Sequence, residues 1–132
     1  MLNQVILIGR LTKNIEVKSL TNGVHVTSFT LAVQRNFKNK NNENDTDFIN
    51  CVAYRNTADL MGNYCFKGQL IAVTGRLQVR SWESEQGRRY ATEVIVNNIE
   101  VLEWKEKNVQ KQADEYFDNM PSADISEDQL PF

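Results

Sequence analysis

The chain has 132 residues, 41% hydrophobic and 24% charged, which suits one soluble domain whose core needs neither disulfides nor metal. No apolar run approaches the ~20 residues of a membrane span, and residues 1–5 lack the basic start and apolar stretch of a secretory signal, so a cytosolic location is expected. The net charge of −2 hides an asymmetry: residues 1–107 carry 14 basic and 11 acidic side chains, and residues 108–132 carry 1 and 6, a pattern of nucleic-acid-binding body and acidic tail.

In chain order, the continuous apolar run Val5-Ile6-Leu7-Ile8 predicts a strand buried on both faces, and Gly9 a bend or bulge after it. Ile15 and Val17 extend that strand beyond a turn at Lys13-Asn14. Thr21-Asn22-Gly23 is a hairpin turn, because Asn-Gly tolerates positive φ. A second strand spans 24–35, with Phe29, Leu31 and Val33 as its core face. Residues 37–45 are polar and Asn-rich, and read as a loop.

The third strand, 47–55, alternates two kinds of side chain. Ile49, Cys51 and Ala53 form a small apolar face for a core, whereas Phe48, Asn50, Val52 and Tyr54 form the opposite one, with Arg55 at its end. Two rings beside an amide make poor core material and a plausible flat platform for stacking bases. Residues 56–68 predict a helix, with Leu60, Met61, Tyr64 and Cys65 at near-helical spacing and Lys67-Gly68 as its stop.

A fourth strand spans 69–82, with Ile71, Val73, Leu77 and Val79 on one parity and Arg76, Gln78, Arg80 and Trp82 on the other. A turn at 84–87 leads to a fifth strand, 89–102. Phe29, Tyr64 and Phe66 are expected in the core, Trp104 at the barrel end; Tyr90 is left open and His25 is given no role. Cys51 and Cys65 read as buried thiols rather than a disulfide, and with one His they cannot supply a familiar zinc set. No metal or other cofactor is expected. The fold expected is all-β: a five-stranded barrel with one helix between strands 3 and 4. The domain is 1–104, followed by a disordered acidic linker, 105–126, and a tip, 127–132, where Glu127, Asp128 and Gln129 precede Leu130, Pro131 and Phe132.

These pieces resemble the bacterial-type single-stranded DNA-binding protein family across the whole chain. The resemblance runs through Asn3 to Leu11, Phe29 to Val33, Asp47 to Val52, Tyr64 to Gly68, Val73 to Leu77, Arg80-Ser81-Trp82, Tyr90 to Val94 and the terminal Leu130-Pro131-Phe132. It implies an oligonucleotide-binding (OB) fold, a homotetramer, and no catalysis. It aligns Phe37, Phe48, Tyr54 and Trp82 with the family's base-stacking positions, Phe37 and Phe48 standing where members often carry Trp. Arg10, Arg35, Arg55, Arg76, Arg80 and Arg88, with Asn50, are the expected phosphate and polar contacts. The tip is implied to recruit replication, recombination and repair proteins and to compete with DNA for the groove; Gln129 interrupts its acidic run. Competing readings are a nuclease, for which the scattered acids and single His supply no constellation, and a replication-restart accessory subunit, which would lack such a tip.

Overall fold

A computed structural model describes residues 1–104; the linker and tip expectations fall outside the described residues. The elements are β1 (Val5–Leu11), β2 (Lys18–Ser19), β3 (His25–Lys38), β4 (Asn44–Tyr54), α1 (Asn56–Tyr64), β5 (Leu70–Ser84) and β6 (Gly87–Val101). The hydrogen-bonded order is β1-β5-β6-β4-β3-β2, and β1 closes the ring by also pairing with β3 at Arg10 and Leu11. β4 and β6 run parallel; the other neighbours are antiparallel. Apart from the two-residue β2, this is the expected five-stranded barrel, with its helix between the third and fourth long strands.

The core follows the expected alternation. Phe29 and Leu31 of β3, Cys51 and Ala53 of β4, Ile71 and Val73 of β5, and Val94, Val96 and Ile99 of β6 are buried together with Ala58 and Met61 of α1. Full burial of a side chain such as Leu31 contributes about 1.5–3 kcal/mol. Two close approaches need glycine. A Cβ at Gly9 would meet the Ala32 carbonyl oxygen at 2.4 Å, where β1 crosses onto β3, and one at Gly75 would meet that of Ile95 at 2.1 Å. Gly9 is therefore explained by backbone proximity: it stays paired with Ile71 inside a regular strand. Register irregularities fall elsewhere, in the β5–β6 ladder between Thr74 and Gly75 and in the β3–β4 ladder between Gln34 and Lys38.

Several local expectations differ. β1 is not buried on both faces: Ile6 is 67% and Ile8 56% exposed, while Val5 and Leu7 pack on the core. Ile15 and Val17 lie in irregular chain rather than in strand. The Asn-rich segment is a loop at its centre, 39–43, but shorter at both ends than expected, because β3 runs to Lys38 and β4 starts at Asn44. Asn39 makes the tight reversal possible, its Oδ1 accepting from the Asn41 and Glu43 N–H groups at 2.9 and 3.1 Å while its Nδ2 donates to Asp45 at 3.0 Å. The helix ends at Tyr64, ahead of Lys67-Gly68, with Cys65 already extended. The helix buries Ala58 and Met61 and leaves Leu60 and Tyr64 exposed, and the Tyr64 ring meets Trp104 edge-on at 6.4 Å instead of entering the core. Phe66 is buried as expected.

Leu77 and Val79 keep core parity yet are exposed, because the β5–β6 hairpin projects beyond the closed part of the barrel. Both cysteines are free; burial pushes the Cys51 thiol up to about 12 and that of Cys65 to about 11.

Candidate nucleic-acid interface

Strand pairing assembles one outward face from five strands. Arg10 lies opposite Ala32, and Ala32 opposite Phe48, which puts an arginine, a small spacer and a ring in one row. In the next row Thr30 faces Asn50, with the Thr30 Oγ1 donating to Asn50 Oδ1 at 3.4 Å. Val52 pairs with Ile95, and Ile95 with Arg76. Val52 and Ile95 are buried, so the floor of this face is apolar between its polar and aromatic members. Phe48 is half-buried, whereas Tyr54 is exposed at the β4 terminus.

Trp82 and Arg80 stand on the same parity of the projecting hairpin as Arg76. The Arg80 guanidinium carbon lies 4.9 Å from the Trp82 ring centre, a cation–π contact. Phe37 is 65% exposed at the far end of β3, past the irregularity in β3–β4 pairing between Gln34 and Lys38. The structure thus groups Phe48, Asn50 and Tyr54 on β4, places Trp82 on the β5–β6 arm and Phe37 on the β3–β4 arm.

The arginines divide by partner. Arg10 donates to the Gly68 carbonyl at 2.9 Å and pairs with Glu103 at 2.5 Å, tying β1 to the chain after β6. Arg35 is held by Asp47 and Asp45. Hydrogen bonding from Arg35 is the main reason the Asp47 carboxyl sits below its ordinary range, and the same bond holds the Arg35 guanidinium above its own. Arg80 lies 3.4 Å from Glu93, and Arg88 lies 3.8 Å from Glu83 and donates to Ser81. Arg76 donates to Gln78 at 2.7 Å. Among the described residues, Arg55 and Arg76 have no carboxylate partner.

Arg55 also has an unusual backbone, φ 59° and ψ −128°, a region that costs a non-glycine residue about 1–3 kcal/mol. Its N–H donates to the His25 carbonyl at 2.8 Å and its carbonyl accepts from the Asp59 N–H at 3.1 Å, which fixes the strand-to-helix corner. His25 Nδ1 lies 2.6 Å from Asp59 Oδ1 at the same corner. The residue missed by sequence reasoning is Glu93. It is an acid at a position of outward parity, with nothing in its neighbours to announce burial, yet it is only 4% exposed.

A family model for the single-strand binding protein family matches residues 2–102. The chain is 43% identical to "Single-stranded DNA-binding protein 3" of Streptococcus agalactiae serotype V, with both sequences fully covered. It is 45% identical to "Single-stranded DNA-binding protein 1" of Streptococcus pyogenes serotype M18, covering 95% of this chain and 98% of that one. A solved structure of the Plasmodium falciparum SSB complex with ssDNA superposes with a TM-score of 0.69 at 33% identity, over 78% of this chain and 96% of that one. By closed barrel, strand order and matched sequence, the chain belongs to the single-strand binding protein family.

Proposed function

We propose that this protein binds and protects single-stranded DNA without sequence preference, as a binder and not a catalyst. The observation that carries the reading is the outward face of β4, where Phe48 and Tyr54 flank Asn50 beside Arg55 and Arg76, two cations with no carboxylate partner among the described residues. Every base has a π-face, so stacking tolerates any sequence at about 1–3 kcal/mol per base. Phe37, Phe48, Tyr54 and Trp82 supply the rings. Arg55 and Arg76 meet phosphates directly, and Arg10, Arg35, Arg80 and Arg88 join as their pairings allow. The named relatives and the complex with ssDNA support the ligand class.

The same proposal covers assembly and recruitment. β1 pairs β5 over Val5 to Arg10 but meets β3 only at Arg10 and Leu11, and exposed Ile6 and Ile8 lie along its open stretch. That edge suits pairing with further copies, as the family's homotetramer requires. The tip, Glu127 to Phe132, recruits proteins of replication, recombination and repair.

The test is a titration of the full chain with oligo-dT, followed by Trp82 fluorescence in a Trp104→Phe background. Quenching that saturates, weakens with salt at roughly −0.7 per phosphate neutralised, and leaves the oligonucleotide uncut supports the reading. Absence of quenching or cleavage of the DNA would overturn it. Removing 127–132 should keep DNA affinity and abolish partner capture.

A further inference from the structure

We infer that Glu93 is a positioning residue for DNA binding: it pins Arg80 against Trp82, so that the ring is presented to a base already backed by a guanidinium. The inference rests on the function proposed above. Glu93 lies opposite Gln78 in the β5–β6 ladder, one residue before the parallel β4–β6 pairing begins at Val94. Its parity is that of the outward face, yet its side chain is sealed, with Oε1 3.4 Å from Arg80 Nε and Oε2 without a hydrogen bond among the described residues.

A carboxylate in that place is unfavourable twice over. Burying it forfeits hydration that one long ion pair does not restore, and a negative charge beneath a phosphate-binding face repels the ligand. Neither fold stability nor plain electrostatics accounts for it. The geometry supplies what does. Arg80 and Trp82 are same-face neighbours two residues apart, the guanidinium 4.9 Å from the ring centre, and Glu93 approaches Arg80 from the adjacent strand. An arginine on an exposed hairpin otherwise samples many rotamers. Held from one side by a carboxylate and from the other by the ring, it restricts Trp82 in turn, and a ring fixed in advance loses less freedom when a base stacks on its open face.

The two accounts of Glu93 give opposite signs. If the carboxylate acts only by charge, Glu93→Gln binds oligo-dT more tightly. If it positions Arg80, Glu93→Gln binds more weakly, by about fivefold, the worth of a cation–π contact at a partly desolvated site. The loss should vanish in an Arg80→Ala background, because there is then nothing to position. Acrylamide quenching of Trp82, read without DNA in the Trp104→Phe chain, should rise in Glu93→Gln at unchanged circular dichroism.

Tighter or equal DNA binding by Glu93→Gln would overturn the inference, as would an equal loss with Arg80 absent. Should Glu93→Gln fail to fold, Arg80→Lys serves: it keeps the charge but loses the planar stack. It should weaken binding and expose Trp82, and parity with wild type in both readouts would also overturn the inference. Failure of the wild-type chain to bind oligo-dT would instead strike the functional reading beneath it.

Discussion

Arg35 donates two hydrogen bonds to Asp47, Nε to Oδ2 and Nη2 to Oδ1, each 3.0 Å, across the β3–β4 hairpin. A bidentate pair of this kind aligns the two strands just before Phe37 and Phe48, and it occupies the donors a phosphate would use. Asp47→Asn should therefore loosen Arg35, leaving it the longer 3.7 Å pair with Asp45. Oligo-dT affinity should rise several-fold at low salt, with a salt slope steeper by about 0.7. An unchanged slope in Asp47→Asn and also in the Asp45→Asn, Asp47→Asn double variant would mean that Arg35 never reaches a phosphate.

The acid dependence has a definite sign. The folded Asp47 carboxyl is held below its ordinary value by the Arg35 hydrogen bond. Its contribution to stability is thus present above the ordinary carboxyl range and is lost as pH falls through the lowered value. Over about pH 6 to 8 both states of the chain keep Asp47 ionised, so the gain from Asp47→Asn should not vary with pH there.

Phe48 pairs with Ala32 on β3, three residues before the parallel junction with β6 begins at Cys51, half-buried and on the outward parity of β4. Phe48→Ala should reduce DNA affinity by about 1–3 kcal/mol, one stacked base, with thermal stability falling less. Phe48→Trp should strengthen binding, since a larger ring overlaps more of a base and Ala32 leaves room beside it. Equal affinity of all three proteins, measured by anisotropy of labelled oligo-dT, would remove Phe48 from the stacking set.

Arg55 holds a backbone conformation that glycine adopts freely, directly after an exposed tyrosine. Arg55→Gly should relieve about 1–3 kcal/mol of strain, offset by about 1 kcal/mol of extra unfolded-chain freedom. The melting temperature should stay level or rise while DNA affinity drops. A variant that loses both would show that the Arg55 side chain supports the corner, and that its charge is incidental.

Gly75 tests the architecture separately from the site. A methyl group there would stand 2.1 Å from the Ile95 carbonyl oxygen, and backbone on both sides leaves it nowhere to go. Gly75→Ala should destabilise by at least about 1–3 kcal/mol, as overpacking does. Gly87→Ala makes a useful contrast: its φ of 109° is costly, but among the described residues nothing lies within 4 Å of the added Cβ, so urea unfolding should show a smaller loss.

Strand alternation made most of the barrel and two of the rings legible before any coordinates. Phe48 and Tyr54 oppose Cys51 and Ala53 by parity alone, and the structure keeps that division. What alternation could not convey was pairing between distant residues. The carboxylates on Arg35 and Arg80 come from neighbouring strands twelve and thirteen positions away, and register decides whether they meet. Nor could it distinguish a strand buried on both faces from one whose second face stays exposed. Val5 to Ile8 reads as continuous apolar chain in either case. Asn39 was legible as loop, since Asn disfavours strands by competing for backbone groups; what its neighbours hid was how tightly that competition closes the reversal, which lets the two strands run on to Lys38 and from Asn44.

Ile6 and Ile8 carry the last prediction. Both project from the stretch of β1 whose second edge lacks a strand partner among the described residues, and neither belongs to the core. Apolar side chains along an open edge favour strand-to-strand association, and charge there opposes it. The double variant Ile6→Lys and Ile8→Lys should keep the native circular dichroism spectrum and change folding stability little, as exposed substitutions do. Sedimentation should show the wild type as a multimer and the variant shifted toward the single chain. DNA affinity per chain should fall only modestly, but the length of oligo-dT bound per particle should shrink with the particle. A wild type sedimenting as a single chain would overturn the predicted assembly, and a variant sedimenting like a multimeric wild type would overturn the role of this edge in it.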